Sequence, residues 1–291
     1  MERPRYKKSL GQHHLVSGAI CAPLVAFLRP AGQMVVEIGP GGGVLTAELL
    51  EAGAGRVVAW EVDLPWAAEL ARQSPQGRPG DERLADGRML HHRLQVVVGD
   101  ALDLDWPALA AAGPVLAAGN LPYNVATPIL ERLLPHHRAV PRAAFLVQWE
   151  VGERLVAGPG DAAYGSLSVL VAAYAGARLL GRVRRGSFRP PPKVDGAFVG
   201  LTLRQPPLPA DQMPAFLATV RLAFSRRRKT LRNALASGIG RERAGRVVEA
   251  LVATRPGLTP AVRAEALGLP ELLDLHRLLL RPAEVVDFMH T

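Results

Sequence analysis

The chain has one cysteine, Cys21, in 291 residues. That excludes an intrachain disulfide, and without partners at ligand spacing it also excludes a structural zinc or iron site. A reducing cytoplasm is the compartment expected. The histidines come in adjacent pairs at 13 and 14, 91 and 92, and 136 and 137, and neighbouring side chains make poor chelates. They read as surface or partner-facing residues, so no metal is expected. No apolar run is long enough to cross a bilayer. The apolar stretch from Gly18 to Leu28 follows a basic N-terminus, but it contains Pro23 and lacks a cleavage region, so an amphipathic packing helix is expected there rather than a signal peptide. Internal repeats are missing too.

Acids are the minority charge. Lys and Arg number 35 against 26 Asp and Glu, a formal charge of +9, which calls for a polyanionic partner without choosing between nucleic acid and a membrane surface. The distribution says more: between Arg182 and Arg232 stand twelve basic residues and only two acids, Asp195 and Asp211. With 48% hydrophobic residues the chain is long enough to bury the cores of one large and one small domain.

The apolar run Val35-Val36-Glu37-Ile38 leads into Gly39-Pro40-Gly41-Gly42-Gly43 and then a helical stretch from Val44. A strand, a glycine loop and a helix let a ligand approach the backbone closely, as dinucleotide-binding domains also do. The next strand-like run, Arg56 to Trp60, ends in Glu61, where a carboxylate can accept from both ribose hydroxyls of a cofactor. A third, Gln95 to Val98, ends at Gly99-Asp100-Ala101, placing an acid within reach of an adenine amine. After a fourth run, Val115 to Ala118, comes Asn120-Leu121-Pro122-Tyr123.

That tetrapeptide suits the capture of a flipped-out amino base. An exocyclic amine is poorly nucleophilic because its lone pair is delocalised into the ring, so a site that alkylates it must accept its hydrogen bonds and hold the ring still. The Asn120 side-chain oxygen and the Leu121 or Pro122 carbonyl are acceptors, Pro122 stiffens the turn, and Tyr123 offers a stacking face. Alone, the segment could be an ordinary Asn-Pro turn beside a core tyrosine. Glycine loop, Glu61, Asp100 and this tetrapeptide together give the order of an S-adenosylmethionine enzyme acting on a nucleic-acid nitrogen. A nicotinamide enzyme gives no reason for the last two.

On these residues the chain resembles the ribosomal RNA adenine N6,N6-dimethyltransferases, most closely the bacterial small-subunit branch. Lys7-Lys8-Ser9-Leu10-Gly11-Gln12-His13-His14-Leu15 is similar to the family's basic Gly-Gln-Asn-Phe-Leu motif, with His13 and His14 standing for Asn and Phe. Ser187-Phe188-Arg189-Pro190-Pro191-Pro192-Lys193-Val194-Asp195 resembles its second aromatic loop, and Ala223 to Asn233 the start of its small C-terminal domain. Two further departures are Trp149, where the family has a basic residue, and a long Gly, Pro, Arg and Asp-rich connection over 73–92, which reads as an inserted surface loop.

The resemblance implies a Rossmann-like class I α/β methyltransferase domain over 1–205 and a small helical RNA-binding domain over 206–291. It implies S-adenosylmethionine held by His13, Leu15, Gly39, Gly41, Glu61, Asp100, Ala101 and Asn120. Catalysis falls to Asn120, Leu121, Pro122, Tyr123 and Phe188. RNA contacts fall to Lys7, Lys8, Arg189, Lys193, Arg226, Arg227, Arg228 and Lys229, the last four read as lying at the first helix of the small domain. The partner implied is the small ribosomal subunit and its RNA, met by a cytoplasmic monomer. Two alternatives remain open: a large-subunit methyltransferase conferring macrolide resistance, and a non-catalytic RNA-binding assembly factor with the same fold.

Overall fold

The computed structural model describes residues 4, 6, 7, 12–72, 93–122 and 125–281. Lys8, Tyr123 and the 73–92 connection lie outside the described residues. The chain divides into two compact units, 1–153 with 174–205, and 154–173 with 206–291. The segment 154–173, placed by sequence in the first domain, groups with the second unit.

The first unit is built on nine strands and six helices among the described residues. In chain order they are β1 (His14–Leu15), α1 (Ala22–Leu28), β2 (Met34–Ile38), α2 (Val44–Glu51), β3 (Arg56–Glu61), α3 (Leu64–Arg72), β4 (Leu94–Val98), α4 (Trp106–Leu109), β5 (Leu116–Asn120), α5 (Ala126–Leu133), β6 (Arg142–Gln148), α6 (Trp149–Val156), which runs on past the unit boundary, then α7 (Ser166–Tyr174) of the second unit, and finally β7 (Ala175–Val183), β8 (Phe188–Arg189) and β9 (Gly196–Leu203). Seven strands form one sheet in the order β4-β3-β2-β5-β6-β9-β7. The first five are parallel, and β9 and β7 close the edge in antiparallel pairing. This is the doubly wound arrangement of the Rossmann-like domain that the resemblance implied, closed by an antiparallel edge.

The strands are apolar almost throughout because both faces of a parallel sheet are covered. Val35, Val36, Val57, Ala59, Leu116, Ala118 and Phe198 are buried. Small residues on β5 let the central strands close up. A Cβ on Gly119 would stand 2.4 Å from the Ile38 carbonyl oxygen, so only glycine fits there. The apolar stretch near the N-terminus is a single 3-10 turn, Gly18–Cys21, followed by α1, which buries Leu24 and Leu28. Strand β5 runs through to Asn120, two residues further than the apolar pattern suggested.

In the second unit, α8 (Met213–Ala223), α9 (Leu231–Ile239), α10 (Arg241–Thr254) and α11 (Leu269–Leu280) follow α7. Phe216, Val220, Leu235, Val247, Leu251, Leu272 and Leu275 form the buried stripe. Phe224 stays partly exposed, edge-on to Tyr164 at 5.7 Å, and the Tyr164 hydroxyl donates to the Leu267 carbonyl at 2.8 Å. The run Arg226 to Lys229 does not lie in a helix: it forms the turn between α8 and α9, because α8 ends at Ala223 and Thr230 caps the next helix by accepting from the Asn233 N–H.

Candidate active site

Strand order reverses at β2, whose neighbours β3 and β5 lead away to opposite sides. Ligands of open α/β sheets bind beyond the carboxyl ends of the strands at such a point, where the connecting segments part. A cleft lies there, open to solvent. It is lined by Gly39 and Gly41 after β2, Trp60 and Glu61 on β3, Asp100 and Ala101 after β4, and Asn120 to Pro122 at the end of β5. Thus His13, Gly39, Gly41, Glu61, Asp100, Ala101, Asn120, Leu121 and Pro122, scattered over more than a hundred positions, meet at one cleft.

Glu61 forms the floor. It is 5% exposed, with Oε2 accepting from the Gly41 N–H at 3.1 Å and Oε1 from the Asp63 N–H at 2.9 Å. Burial raises its pKa, and these backbone donors work against that rise. Each oxygen keeps a second lone pair, so the carboxylate still has capacity for hydroxyl donors. Asp100 uses Oδ1 to cap the turn after it, accepting from the Leu102 N–H at 2.8 Å, while the Trp60 indole donates to the Asp100 carbonyl at 3.1 Å. The other oxygen of the exposed Asp100 carboxylate is left for a ligand amine.

Asn120 is the best-defined group. Its Nδ2 donates to the His13 carbonyl at 2.6 Å. A backbone carbonyl only accepts, so the atom facing it is the nitrogen, which leaves Oδ1 as the acceptor available to an amine. His13 itself is held by Nδ1 against the Pro190 carbonyl at 2.8 Å.

Other expected residues stand elsewhere. Leu15 is 7% exposed and lines, with Glu37 and Val44, a small cavity next to the main cleft, the two sharing His14, Gly39 and Asn120. Phe188 is 4% exposed and does not line the cleft: the pairing of β1 with β8 sets Leu15 opposite Phe188 and turns that ring into the core. Lys7 is engaged by an acid, its Nζ 2.9 Å from Asp63. Arg189, Lys193 and all four residues Arg226, Arg227, Arg228 and Lys229 are exposed, and the Arg227 guanidinium in addition donates to the Ala162 carbonyl and lies 4.0 Å from Glu265. His14 is not a surface residue. Its ring packs edge-on to Trp66 at 4.3 Å and to Tyr6 at 5.0 Å, and desolvation lowers its pKa to about 4.

Sequence reasoning missed Glu37 and Asp63, and it noted Trp149 only as a departure without its contact. Glu37, wholly buried, accepts from the Thr46 hydroxyl at 2.6 Å, and burial pushes its pKa up to about 8. Asp63 holds Lys7 and Gln12. Trp149 lies under the Arg182 guanidinium at 4.8 Å, and Arg182 also pairs with Asp195 at 2.8 Å. Glu37 could have been noticed as a lone acid in an apolar strand; the Asp63 and Trp149 contacts join residues with no local signal.

The family description ribosomal RNA adenine dimethylase matches residues 3–264. The small-subunit ribosomal RNA methyltransferase A of Acidithiobacillus ferrooxidans is 42% identical over 235 residues, covering 80% of this chain and 82% of that protein. Its counterpart in Xanthomonas campestris is 38% identical over 272 residues, covering 92% and 94%. Among solved structures, a dimethyladenosine transferase from Plasmodium falciparum superposes with a TM-score of 0.68 at 23% identity, covering 90% of this chain and 96% of that one. A 23S rRNA methyltransferase, ErmE, gives 0.59 at 24%, covering 96% and 100%. At these identities the two structures speak for the fold alone. Among the described residues no helix is long and apolar enough to cross a membrane, and no cluster of His, Cys, Asp or Glu could hold a metal.

Proposed function

The chain belongs to the ribosomal RNA adenine dimethylase family, and on that premise we propose that it transfers methyl groups to N6 of two adjacent adenosines near the 3′ end of small-subunit ribosomal RNA, giving N6,N6-dimethyladenosine during ribosome biogenesis. The chain is an S-adenosylmethionine-dependent methyltransferase. The observation that carries the reading is the Asn120 carboxamide, whose nitrogen is occupied by the His13 carbonyl so that its oxygen faces an incoming amine.

The residues fit the cofactor: the cleft opens at the carboxyl ends of the strands, Gly41 sits at φ +51 and brings its backbone to the edge, and Glu61 and Asp100 keep free acceptor capacity. In this assignment Glu61 accepts from the ribose hydroxyls, Asp100 and Ala101 meet the adenine, and Gly39 and Gly41 line the path between. Bound there, S-adenosylmethionine supplies an electrophilic sulfonium methyl. Asn120 Oδ1 and the Leu121 carbonyl accept from the N6 protons, the Pro122 carbonyl being taken up by the Val125 and Ala126 N–H groups, both at 3.1 Å, and this favours a more tetrahedral, nucleophilic nitrogen aligned for displacement. Tyr123 stacks on the flipped base. Phe188, buried beside Leu15, supports the wall of the site in this reading instead of gripping the base. No residue of the site is required as a strong general base, because the N6 proton can depart after transfer.

The basic excess supports an RNA partner, with Arg189, Lys193 and the turn Arg226 to Lys229 as phosphate contacts. A monomer in a reducing cytoplasm completes the reading. The names carried by the relatives favour the small subunit over the large. Incubation of small- and large-subunit RNA with labelled cofactor, followed by mass spectrometry of the modified nucleotides, tests it: dimethyladenosine in small-subunit RNA is expected, and label confined to large-subunit RNA, or none, would overturn it.

A further inference from the structure

Asp63 stands two residues beyond Glu61 in the loop before α3, and its side chain has no exposed surface. A carboxylate so enclosed needs its charge met by well-placed donors. Both come from one short N-terminal arm. Lys7 Nζ donates to Oδ1 at 2.9 Å and Gln12 Nε2 to Oδ2 at 2.8 Å, and the Lys7 N–H donates to Gln12 Oε1 at 2.7 Å, so the two donors are tied to each other.

Beyond Gln12 the arm enters the candidate active site. The next residue is His13, whose carbonyl holds Asn120 Nδ2. After it come His14, packed on Trp66, and Leu15, paired with Phe188. On its other side Asp63 donates its N–H to Glu61 Oε1, and Glu61 Oε2 holds the Gly41 N–H. Hydrogen bonds therefore lead from the glycine loop through Glu61 and Asp63 to the arm, and from the arm to the amide that faces the target amine.

We propose that Asp63 is a positioning residue: by clamping Lys7 and Gln12 it fixes the N-terminal arm so that the His13 carbonyl sets the orientation of the Asn120 carboxamide. Lys7 then acts on this carboxylate, not on RNA phosphate. The proposal rests on the methyltransferase reading for its effect on turnover, and on the arm alone for its effect on structure.

The test uses the full chain with Lys7→Met, Asp63→Asn, their double variant and the conservative Lys7→Arg. Hydrogen exchange of the peptide covering residues 12–16 reads the arm without any reaction. Each single variant should speed exchange there by tenfold or more and lower kcat on small-subunit RNA by roughly tenfold, the scale of a modest misplacement at the reacting atom. KM for RNA should hold within about twofold, and the double variant should be no worse than either single one, because both break one interaction. Lys7→Arg should recover most of the loss. Unchanged exchange in both singles overturns the clamp. Faster exchange with unchanged kcat overturns the link to Asn120. A higher RNA KM and shallower salt dependence in Lys7→Met alone would return Lys7 to the RNA and overturn the proposal. If the parent chain fails to methylate RNA, the functional reading falls, and the link to Asn120 turnover falls with it, while the exchange measurement still decides the clamp.

Discussion

The His14 imidazole lies directly over Gly41: a Cβ built on that glycine would stand 2.7 Å from the ring's Cε1 and Nε2. The ring cannot easily yield, since Trp66 and Tyr6 pack against it. Gly41 also sits at φ +51, where a side chain costs about 1–2 kcal/mol. Gly41→Ala should therefore push the arm off the loop and disturb the N–H that Glu61 accepts. We expect cofactor affinity to fall at least roughly tenfold, about 1.4 kcal/mol, in a protein that still unfolds cooperatively. Calorimetric titration with S-adenosylmethionine checks this; affinity within twofold of the parent would separate the loop from the cofactor.

Asn120→Ala removes the acceptor at the reacting nitrogen and leaves the glycine loop, Glu61 and Asp100 in place. Turnover should drop on the order of a hundredfold or more, the scale of a lost positioning hydrogen bond. Cofactor affinity should stay within a few fold. Single-turnover methylation together with cofactor titration separates the two effects, and near-parental turnover would remove Asn120 from the chemistry.

The strand-loop-helix around Gly39 to Gly43 was legible in sequence because each part has a local signature: an apolar run, residues that tolerate positive φ, then a helical period. Glu61, Asp100 and Asn120 were legible because acids and amides at strand ends of a parallel sheet converge at one edge. The Asp63 clamp was not, since Lys7 and Asp63 stand 56 positions apart and only the folded arm joins them. The burial of Phe188 was not legible for a similar reason. Its motif is local, but its burial comes from pairing with Leu15, a long-range contact. The basic run looked helical because it adjoins the Phe216 and Val220 stripe, yet α8 stops at Ala223 and the cations fall in the turn.

Glu37 gives the fold a pH dependence of definite sign. Its pKa in the folded chain is raised from 4.5 to about 8, chiefly by burial and partly by Glu61, with the Thr46 hydroxyl opposing. The folded state therefore holds a proton that the unfolded chain releases above 4.5. Stability from this group is full below pH 4.5 and is lost progressively as pH rises to about 8. Glu37→Gln keeps an acceptor for Thr46 and cannot ionise. Its Tm relative to the parent should climb steadily from about pH 5 to about pH 8. His14, depressed to about 4, acts with the opposite sign, losing stability as pH falls below 6.5, but it is common to both proteins and cancels in the difference. Parallel melting curves across that range would mean that Glu37 is already ionised or reached by water.

The turn Arg226 to Lys229 separates into two kinds of cation. Arg227 is used within its own unit, donating to the Ala162 carbonyl and facing Glu265. Arg226 and Arg228, exposed as Arg227 also is, make no such contact among the described residues. If the turn docks RNA, this pair are the residues that displace counterions from phosphates, and the effect is electrostatic and independent of sequence. Changing Arg226 and Arg228 together to Gln should weaken RNA binding and reduce the log-log salt slope by about one unit per lost phosphate contact, with cofactor affinity unchanged. Turnover should recover at low salt or high RNA concentration, because the cleft is untouched. Arg227→Gln should behave differently, lowering Tm through the lost contacts to Ala162 and Glu265. Salt-dependent RNA binding and melting of both variants decide the matter: an unchanged salt slope in the Arg226 and Arg228 double variant would show that the turn does not meet RNA.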